Sequence, residues 1–201
     1  MTEREKMVSG GLYFSEDPEL VAARRRARQL THAYNATGPE EQDRRREIMG
    51  ELLGATGERF FIEPTFRCDY GSNIRLGEDF YANFDCIILD VAPVTIGRNV
   101  LFAPRVGVYT AAHPIDAGVR NEGLEFAKAI TIGDNVWIGA NVVINPGVTI
   151  GSDVVIGAGS VVTRDIPDHV VAVGNPCWVL RPITDADRTY WERLREEYHN
   201  S

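Results

Sequence analysis

Four histidines are the side chains in this 201-residue sequence best suited to accept and return a proton near neutral pH. His113 stands in Ala111-Ala-His-Pro-Ile115, inside a stretch that lacks the periodicity of its surroundings. A lone histidine is more often structural than catalytic. An irregular excursion between regular segments nevertheless favours a general base, because functional side chains concentrate there. The remaining three lie in a helical pattern, at a turn and near the end of the sequence: His32, His169 and His199.

Glu125 lies in the same irregular stretch, in Gly123-Leu-Glu-Phe-Ala-Lys128. A carboxylate beside a catalytic imidazole can fix its tautomer and stabilise the imidazolium that forms when the ring takes a proton. A solvated loop carboxylate is the alternative interpretation. The pair is therefore a candidate base and orienting group, provided that the surrounding elements bring the two side chains together.

The regular segments that must position these residues repeat every six residues. From residue 130 to 166, one phase is aliphatic, and the position after each aliphatic residue holds Gly, Asn or Thr. A period of six fits neither a simple hairpin sheet nor an amphipathic helix. Short β segments joined by tight turns explain it, with the aliphatic side chains pointing inward. These side chains are Ile132, Ile138, Ile144, Ile150, Ile156 and Val162.

The same period starts earlier in the sequence and is disturbed twice. The phase slips by two residues between Ile88 and Ile96, and the repeat is absent from 109 to 129. Ile132 then re-enters at a multiple of six from Val108. An interruption that preserves the phase predicts a loop pushed out of a continuing solenoid, and such insertions often form the binding face.

Helical patterns flank the repeats. Asp17 and Pro18 form a helix start, with Asp as N-cap and Pro as the first helical residue, and Thr37-Gly-Pro39 ends that helix. A second helix is predicted over 40–53, and a short charged helix from Thr184 is expected to pack on the body of the protein. We divide the chain into a helical cap at 1–57, a repeat domain at 58–183 with an inserted loop at 109–129, and a helical tail at 184–201.

Composition excludes several classes of function. The formal net charge of −8 argues against a general nucleic-acid or anionic-membrane binder, and the arginine triplets at 24–26 and 44–46 are interpreted as solvated helix faces. Three cysteines without a CxxC pair predict neither disulfides nor a thiolate metal site, and one histidine in the repeats predicts no three-histidine site. No apolar stretch approaches the ~20 residues of a membrane span, and the charged first residues do not resemble a signal peptide, so we expect a cytoplasmic protein.

Seven motifs follow one another along nearly the whole chain. They are Gly11-Leu-Tyr-Phe-Ser-Glu-Asp-Pro-Glu-Leu20, Asp69-Tyr-Gly-Ser-Asn-Ile74, Phe80-Tyr-Ala-Asn-Phe84, Ala112-His-Pro-Ile-Asp116, Gly133-Asp-Asn-Val-Trp-Ile-Gly139, Val143-Ile-Asn-Pro-Gly-Val148 and Gly174-Asn-Pro-Cys177. In this order they resemble the maltose/galactoside O-acetyltransferase family of hexapeptide-repeat acyltransferases. The resemblance implies a mainly β fold: a left-handed parallel β-helix of triangular cross-section, with an N-terminal helical cap and a short C-terminal helix. It also implies homotrimers with active sites between subunits and acetyl-CoA as co-substrate, with no metal.

The resemblance also implies a role for each matching residue. His113 would be the catalytic base with Glu125 beside it, and the acceptor would be held by Asp17, Asp69, Tyr81 and Asn83. Coenzyme A would be held by Trp137, Ala140, Ala158, Thr163, Arg164 and Arg181. The alanines could act only through their backbone and small size, and the arginines would neutralise phosphates. Structural alternatives are a helix cap for Asp17, turns for Asp69 and Asn83, subunit packing for Trp137 and solvated surface for the arginines.

These observations predict an O-acetyltransferase that transfers the acetyl group of acetyl-CoA to a sugar hydroxyl of the maltose, glucose or galactoside type. The first alternative is a hexapeptide acyltransferase with a non-sugar acceptor, such as an antibiotic, serine or a lipo-oligosaccharide. The second is a non-catalytic trimeric scaffold that kept only the solenoid. A scaffold would be expected to lose the loop histidine and the coenzyme groove, whereas His113, Trp137 and Arg181 are all present.

Overall fold

The structure, a computed structural model, describes residues 1–201 and consists mainly of very short strands. Five helices accompany them: α1 (Glu3–Val8), α2 (Pro18–Asn35), α3 (Gln42–Leu52), α4 (Ala117–Asn121) and α5 (Asp185–His199). The strands are β1 (Tyr13–Phe14), β2 (Phe60–Ile62), β3 (Phe66–Cys68), β4 (Ile74–Leu76), β5 (Phe80–Ala82), β6 (Cys86–Leu89), β7 (Val94–Ile96), β8 (Leu101–Phe102), β9 (Gly107–Tyr109), β10 (Ala111–Ala112), β11 (Leu124–Ala127), β12 (Ile130–Ile132), β13 (Trp137–Ile138), β14 (Val143–Ile144), β15 (Thr149–Ile150), β16 (Val155–Ile156), β17 (Val161–Val162), β18 (Val170–Val173) and β19 (Trp178–Pro182).

Three sheets form the sides of a solenoid. Sheet I contains β4, β7, β12 and β15; sheet II contains β2, β5, β8, β13, β16, β18 and β19; sheet III contains β3, β6, β9, β14 and β17. The chain visits them in the repeated order II, III, I, and successive turns pair in parallel. Only β18 and β19 pair antiparallel within these sheets. The prediction of a mainly β, three-sided parallel β-helix with helices at both ends is confirmed.

The six-residue repeat is the inward column of this solenoid. Ile132 pairs with Ile150 on sheet I, and Ile138 pairs with Ile156 on sheet II, so that equal positions of successive turns stack. All four side chains are buried. Because full burial of an aliphatic side chain contributes about 1.5–3 kcal/mol, this column is the main source of stability in the domain.

Sheets III and I meet at a corner that is wider than the others, which we call the III–I corner. Asp90 follows β6 there and explains the slip in phase, because its buried carboxylate accepts hydrogen bonds from the turn before it. The donors are the N–H groups of Asp69, Tyr70 and Asn73, at 3.1, 2.8 and 3.2 Å. Thr110 does the same one turn later, accepting from the N–H of Ala92 at 2.9 Å. A buried polar side chain from the next turn thus holds each widened corner.

The stretch 109–129 projects from the III–I corner, but it is more ordered than the expected loop. Strands β10 and β11 form an antiparallel hairpin around α4, and β1 from the N-terminal segment pairs with the other edge of β11. The solenoid then resumes with Ile130 opposite Val94, so the preserved phase is confirmed. A second apolar core joins the N-terminal segment to this insertion: Met7, Tyr13, Leu20, Tyr70, Val91, Ala92 and Ala127.

The predicted helices α2 and α3 form within about two residues of their expected bounds, while α1 was not predicted. The C-terminal helix also forms, but the expectation that it packs on the body is wrong for the single chain. No residue of α5 is buried, and Trp191 is 66% exposed. Tyr190, Leu194 and Tyr198 follow one another at helical spacing, but the single chain leaves this side of α5 uncovered. No helix of the structure is long and apolar enough to cross a membrane.

Asp90 generates a prediction about stability and pH. Burial raises its pKa from 3.8 to about 6, although backbone hydrogen bonds from Tyr70, Gly71 and Asn73 lower it. The folded state therefore holds this proton more tightly than the unfolded state. The contribution is present below pH ~4 and is lost as the pH rises through about 6, by roughly 3 kcal/mol. Urea unfolding from pH 3.5 to 6.5 should show this decline in wild type relative to Asp90→Asn; parallel pH profiles would contradict it.

Candidate active site

The three-stranded sheet of the insertion places the candidate residue Glu125 next to Tyr13, and its third strand, β10, ends just before His113. Strand β11 lies in the middle, with Tyr13 of β1 directly opposite Glu125. On the other side, Ala111 is opposite Ala127 and Ala112 is opposite Phe126, and His113 is the residue that follows this last pair. Residues directly opposite in an antiparallel pair project to the same face. Tyr13 and Glu125 therefore project to the same face, and His113 directly follows the strand on the other side of β11.

The contacts within this row are unequal. The Tyr13 hydroxyl donates a hydrogen bond of 2.6 Å to Glu125 Oε2. Tyr13 is buried, and burial together with the neighbouring carboxylate raises the pKa of its hydroxyl, so the group remains a donor. His113 is exposed and forms neither a hydrogen bond nor an ion pair with Glu125 in this structure. Sequence reasoning missed Tyr13, because no local signal links it to a residue 112 positions later.

A cleft of about 260 Å³ lies between the N-terminal segment, the III–I corner and the insertion. Charged and phenolic side chains dominate its walls, including Tyr13, Arg24, Arg28, Asp69, Tyr70 and Glu125. Tyr13, Arg24 and Arg28 come from the cap, and Glu125 comes from the insertion. The solenoid alone would not supply these four side chains. The cap therefore forms part of the cleft.

Asp69 is the one cleft carboxylate whose side chain accepts no hydrogen bond, although its backbone N–H is held by Asp90. Burial raises its pKa, while the charges of Arg24 and Arg28 lower it. Arg24 itself is only 16% exposed and donates to the Tyr70 hydroxyl at 2.9 Å and to Glu16 at 3.2 Å. The interpretation of this arginine as a solvated face is therefore wrong. The Asp69 carboxylate remains available to hydroxyl donors of a ligand.

Asp17 does not line the cleft, in contrast to the expectation that it binds the acceptor. Its carboxylate accepts the N–H of Glu19 at 3.0 Å and caps α2, with Pro18 as the first helical residue. This is the structural alternative for an Asp-Pro helix start. Ser15 and Glu16, just before it, line the cleft instead.

A second group of candidates lies where sheet II passes into sheet III, which we call the II–III corner. Tyr81 and Trp137 project outward from sheet II in one column with Leu101 between them. Tyr81 stacks on Phe61 with 6.2 Å between ring centroids, and Trp137 is 53% exposed. Asn83 follows β5 at the corner and accepts the N–H of Phe84 at 2.7 Å, which is a turn contact. Its amide nitrogen is unpaired.

Ala140 and Ala158 occupy the same position in successive turns at the II–III corner. Neither N–H group donates a hydrogen bond, although the carbonyl of Ala140 accepts from Gly159 at 2.8 Å. Two unpaired donors about one strand spacing apart, next to an exposed Trp137, form a surface suited to carbonyl oxygens of a ligand. This supports a backbone role for both alanines.

The candidate phosphate-binding residues lie near the C-terminal end of the solenoid. Thr163 and Arg164 follow β17, and the Arg164 guanidinium lies 3.6 Å from the centroid of the Trp178 ring without forming a hydrogen bond. Arg181 already has a carboxylate partner, because its guanidinium donates two hydrogen bonds of 2.7 and 2.8 Å to Asp187 of α5. Arg164 is thus the freer of the two cations.

The candidates of one chain fall on different corners of the prism. The III–I corner and its insertion carry Asp69, His113 and Glu125, while the II–III corner carries the second group: Tyr81, Asn83, Trp137, Ala140 and Ala158. A single chain does not bring the two groups together. No cluster of three or more His, Cys, Asp and Glu side chains is placed to hold a metal ion.

The fold and these surfaces define a hexapeptide-repeat transferase, and comparison with known proteins agrees. Residues 6–57 match the maltose acetyltransferase hexapeptide capping motif, and residues 129–164 match six bacterial transferase hexapeptide repeats. The galactoside O-acetyltransferase of Escherichia coli K12 is 46% identical over 191 residues, covering 95% of this chain and 93% of its own.

Two solved structures extend the likeness to three dimensions. A maltose O-acetyltransferase from Clostridium difficile 630 has a TM-score of 0.91 and 53% identity, covering 92% of this chain and 98% of its own. A galactoside acetyltransferase in complex with coenzyme A has a TM-score of 0.90 and 45% identity, covering 94% of both chains. The chain belongs to the maltose/galactoside O-acetyltransferase family of hexapeptide-repeat acyltransferases and is an acetyltransferase.

The position of Asp17 generates a second prediction. Asp17→Ala removes the cap of α2 and should lower the free energy of unfolding by about 1 kcal/mol. It should leave the KM for the acceptor unchanged, because the side chain is outside the cleft. Urea unfolding and steady-state kinetics measure the two effects, with Asp69→Ala as the contrasting cleft variant. If Asp17→Ala instead raises the KM for the acceptor and leaves the free energy of unfolding unchanged, Asp17 binds the acceptor and the prediction is contradicted.

Proposed function

We propose that this acetyltransferase transfers the acetyl group of acetyl-CoA to a hydroxyl of a sugar of the maltose, glucose or galactoside type, with His113 as general base. The observation that carries the proposal is the free carboxylate of Asp69 in a cleft that is also lined by Glu125 and by Ala111, two residues before His113. The relatives named for galactosides and maltose support the acceptor class. A cytoplasmic location belongs to the proposal, because all three cysteines are free and buried.

His113 performs the proton transfer in this proposal. Acetyl-CoA supplies the acetyl group as an activated thioester. The neutral imidazole takes the proton of the acceptor hydroxyl as its oxygen forms the bond to the acetyl carbon, and the proton leaves with the thiol of coenzyme A. The unpaired N–H of Ala140 would stabilise the negative charge that develops on the acetyl oxygen. Exposure of His113 leaves its ring accessible to both partners.

The acceptor would be oriented by the cleft. Asp69 can accept hydrogen bonds from two sugar hydroxyls, and its backbone is fixed by the buried carboxylate of Asp90. Tyr70, held by Arg24, forms an aromatic wall beside it. A polar cleft with fixed acceptors suits a polyol better than an apolar ligand, because each hydroxyl needs a partner once it is removed from water.

The residues of the II–III corner fit coenzyme A. The unpaired N–H of Ala158 would meet an amide carbonyl of its pantetheine arm, and Trp137 would cover the arm with its exposed ring. Thr163 and Arg164 would meet the nucleotide end, where Arg164 is free to pair with phosphate. Arg181 would need to leave Asp187 to contribute directly.

We infer that the complete site forms between subunits of a homotrimer. The III–I corner of one subunit would supply the base and acceptor cleft, and the II–III corner of its neighbour would supply the surface for coenzyme A. The separation of the two groups within one chain supports this arrangement, as does the exposed apolar column of sheet II, which includes Leu101 and Trp137. Closed homo-oligomers commonly place sites at such repeated interfaces.

The first test of the function is release of free thiol from acetyl-CoA over a panel of maltose, glucose, galactosides, serine and chloramphenicol. Wild type should release thiol only with a sugar acceptor. His113→Ala should lower the rate by about 10²–10⁴-fold, because a general base contributes that much. His169→Ala is the matched control and should turn over normally, since His169 lies beside Ile183 and Thr184 and does not line the cleft.

Other outcomes separate the alternatives. Turnover of serine or chloramphenicol alone would replace the sugar by a non-sugar acceptor. No thiol release with any acceptor of the panel, together with no binding of coenzyme A, would favour the non-catalytic scaffold. Full activity of His113→Ala would contradict the assignment of the base.

Subunit mixing tests where the site is formed. A chain with His113→Ala and a chain with both Asn83→Ala and Trp137→Ala should each be nearly inactive as homotrimers. Co-expressed at equal amounts, they should regain about a quarter of the wild-type sites. Each site needs an intact III–I corner from one subunit and an intact II–III corner from its neighbour, and each of these is present in half of the chains. The whole trimer population, purified without separating mixed trimers from homotrimers, is measured by thiol release. No gain over the parents would contradict a shared site.

A further inference from the structure

The insertion that carries His113 is not held by the solenoid alone. Its hairpin leaves one edge of β11 open, and β1 from the N-terminal segment pairs with that edge. Strand β1 is in turn fixed by the second apolar core, which joins Met7 and Leu20 to Val91 and Ala127. A segment more than a hundred residues earlier in the chain therefore sets the position of β11.

Tyr13 is the point at which this segment reaches the polar residues of the cleft. Its side chain is 1% exposed, and its only hydrogen bond is the 2.6 Å contact to Glu125 Oε2. A buried hydroxyl requires a partner, and a bond from a neutral hydroxyl to a carboxylate is stronger than one between neutral groups. The other oxygen of the carboxylate, Oε1, accepts no hydrogen bond.

We propose that Tyr13 is a positioning residue, which holds one oxygen of Glu125 so that the other stays directed to the His113 side of the cleft. This inference rests on the proposed function. Without the hydroxyl, Glu125 could rotate into solvent, because it is only half-buried and Tyr13 is its sole hydrogen-bonding side chain. Proton transfer is left to His113 in this proposal, because the Tyr13 hydroxyl is buried and already donates to Glu125.

The test begins with Tyr13→Phe, which removes one oxygen and keeps the ring in the apolar core. We expect kcat/KM for maltose to fall about tenfold and the KM for acetyl-CoA to stay unchanged, because only one charge-assisted hydrogen bond is lost. Tyr34→Phe is the matched control: it removes another buried tyrosine hydroxyl of the cap, which donates to the carbonyl of Ile62 in β2. The control should leave kcat/KM unchanged.

A double-mutant cycle with Glu125→Ala distinguishes positioning from an independent role. Once Glu125 is absent, Tyr13→Phe should cause no further loss, because the hydroxyl has no carboxylate to hold. An equal loss in both backgrounds, or no loss in either, would overturn the proposal. If Glu125→Ala is fully active while His113→Ala is inactive, the inference falls and the proposed function stands. If His113→Ala is fully active, the proposed base falls instead.

A crystal structure of Tyr13→Phe provides a readout that needs no turnover. We expect the Glu125 carboxylate to leave its wild-type position and β11 to keep its pairing with β10. An unmoved carboxylate would overturn the proposal, even if no acceptor of the panel is acetylated.

Discussion

The parallel register between successive turns is the constraint on which the rest of the structure depends. The strands of a turn form their backbone hydrogen bonds with the turns before and after it, so equal positions of the repeat are forced into columns. Inward columns must be aliphatic because they are removed from water, and outward columns are free to vary. Any departure from six residues then appears at a fixed corner. The solenoid is thus a rigid frame on which a few irregular residues acquire defined positions.

Departures from the repeat gather at the III–I corner, and each is stabilised by a buried polar contact. Asp90 and Thr110 satisfy the backbone groups that the widened turns leave unpaired, which would otherwise be costly to bury. The insertion emerges from the same corner, and the cap closes over it through β1. The cleft, the insertion that carries the proposed base and the cap therefore depend on one another, whereas the proposed surface for coenzyme A is a regular part of sheet II and its corner.

The sequence predicted most of the frame, because its signals are periodic and local. The six-residue spacing of aliphatic residues anticipated a solenoid of short β segments, the family resemblance implied its three sides, and Asp17-Pro18 anticipated the start of α2. Sequence reasoning could not identify the partner of Glu125, since the Tyr13 contact depends on long-range strand pairing. The same limit applies to the free carboxylate of Asp69 and to α5, whose packing depends on surfaces rather than on spacing. The two-residue slip in phase between Ile88 and Ile96 was visible in the sequence. Asp90 shows that such a slip can mark a corner at which a buried carboxylate accepts backbone hydrogen bonds.

The central claim is that His113 accepts the proton of the attacking hydroxyl. The pH dependence of kcat/KM for the acceptor tests it most directly, measured for wild type and for the residual activity of His113→Ala. The account predicts that the wild-type value falls about tenfold per pH unit below the pKa of a single essential base, and that this decline is absent in the variant. The same acidic decline in both proteins would show that another group accepts the proton, and would contradict the account.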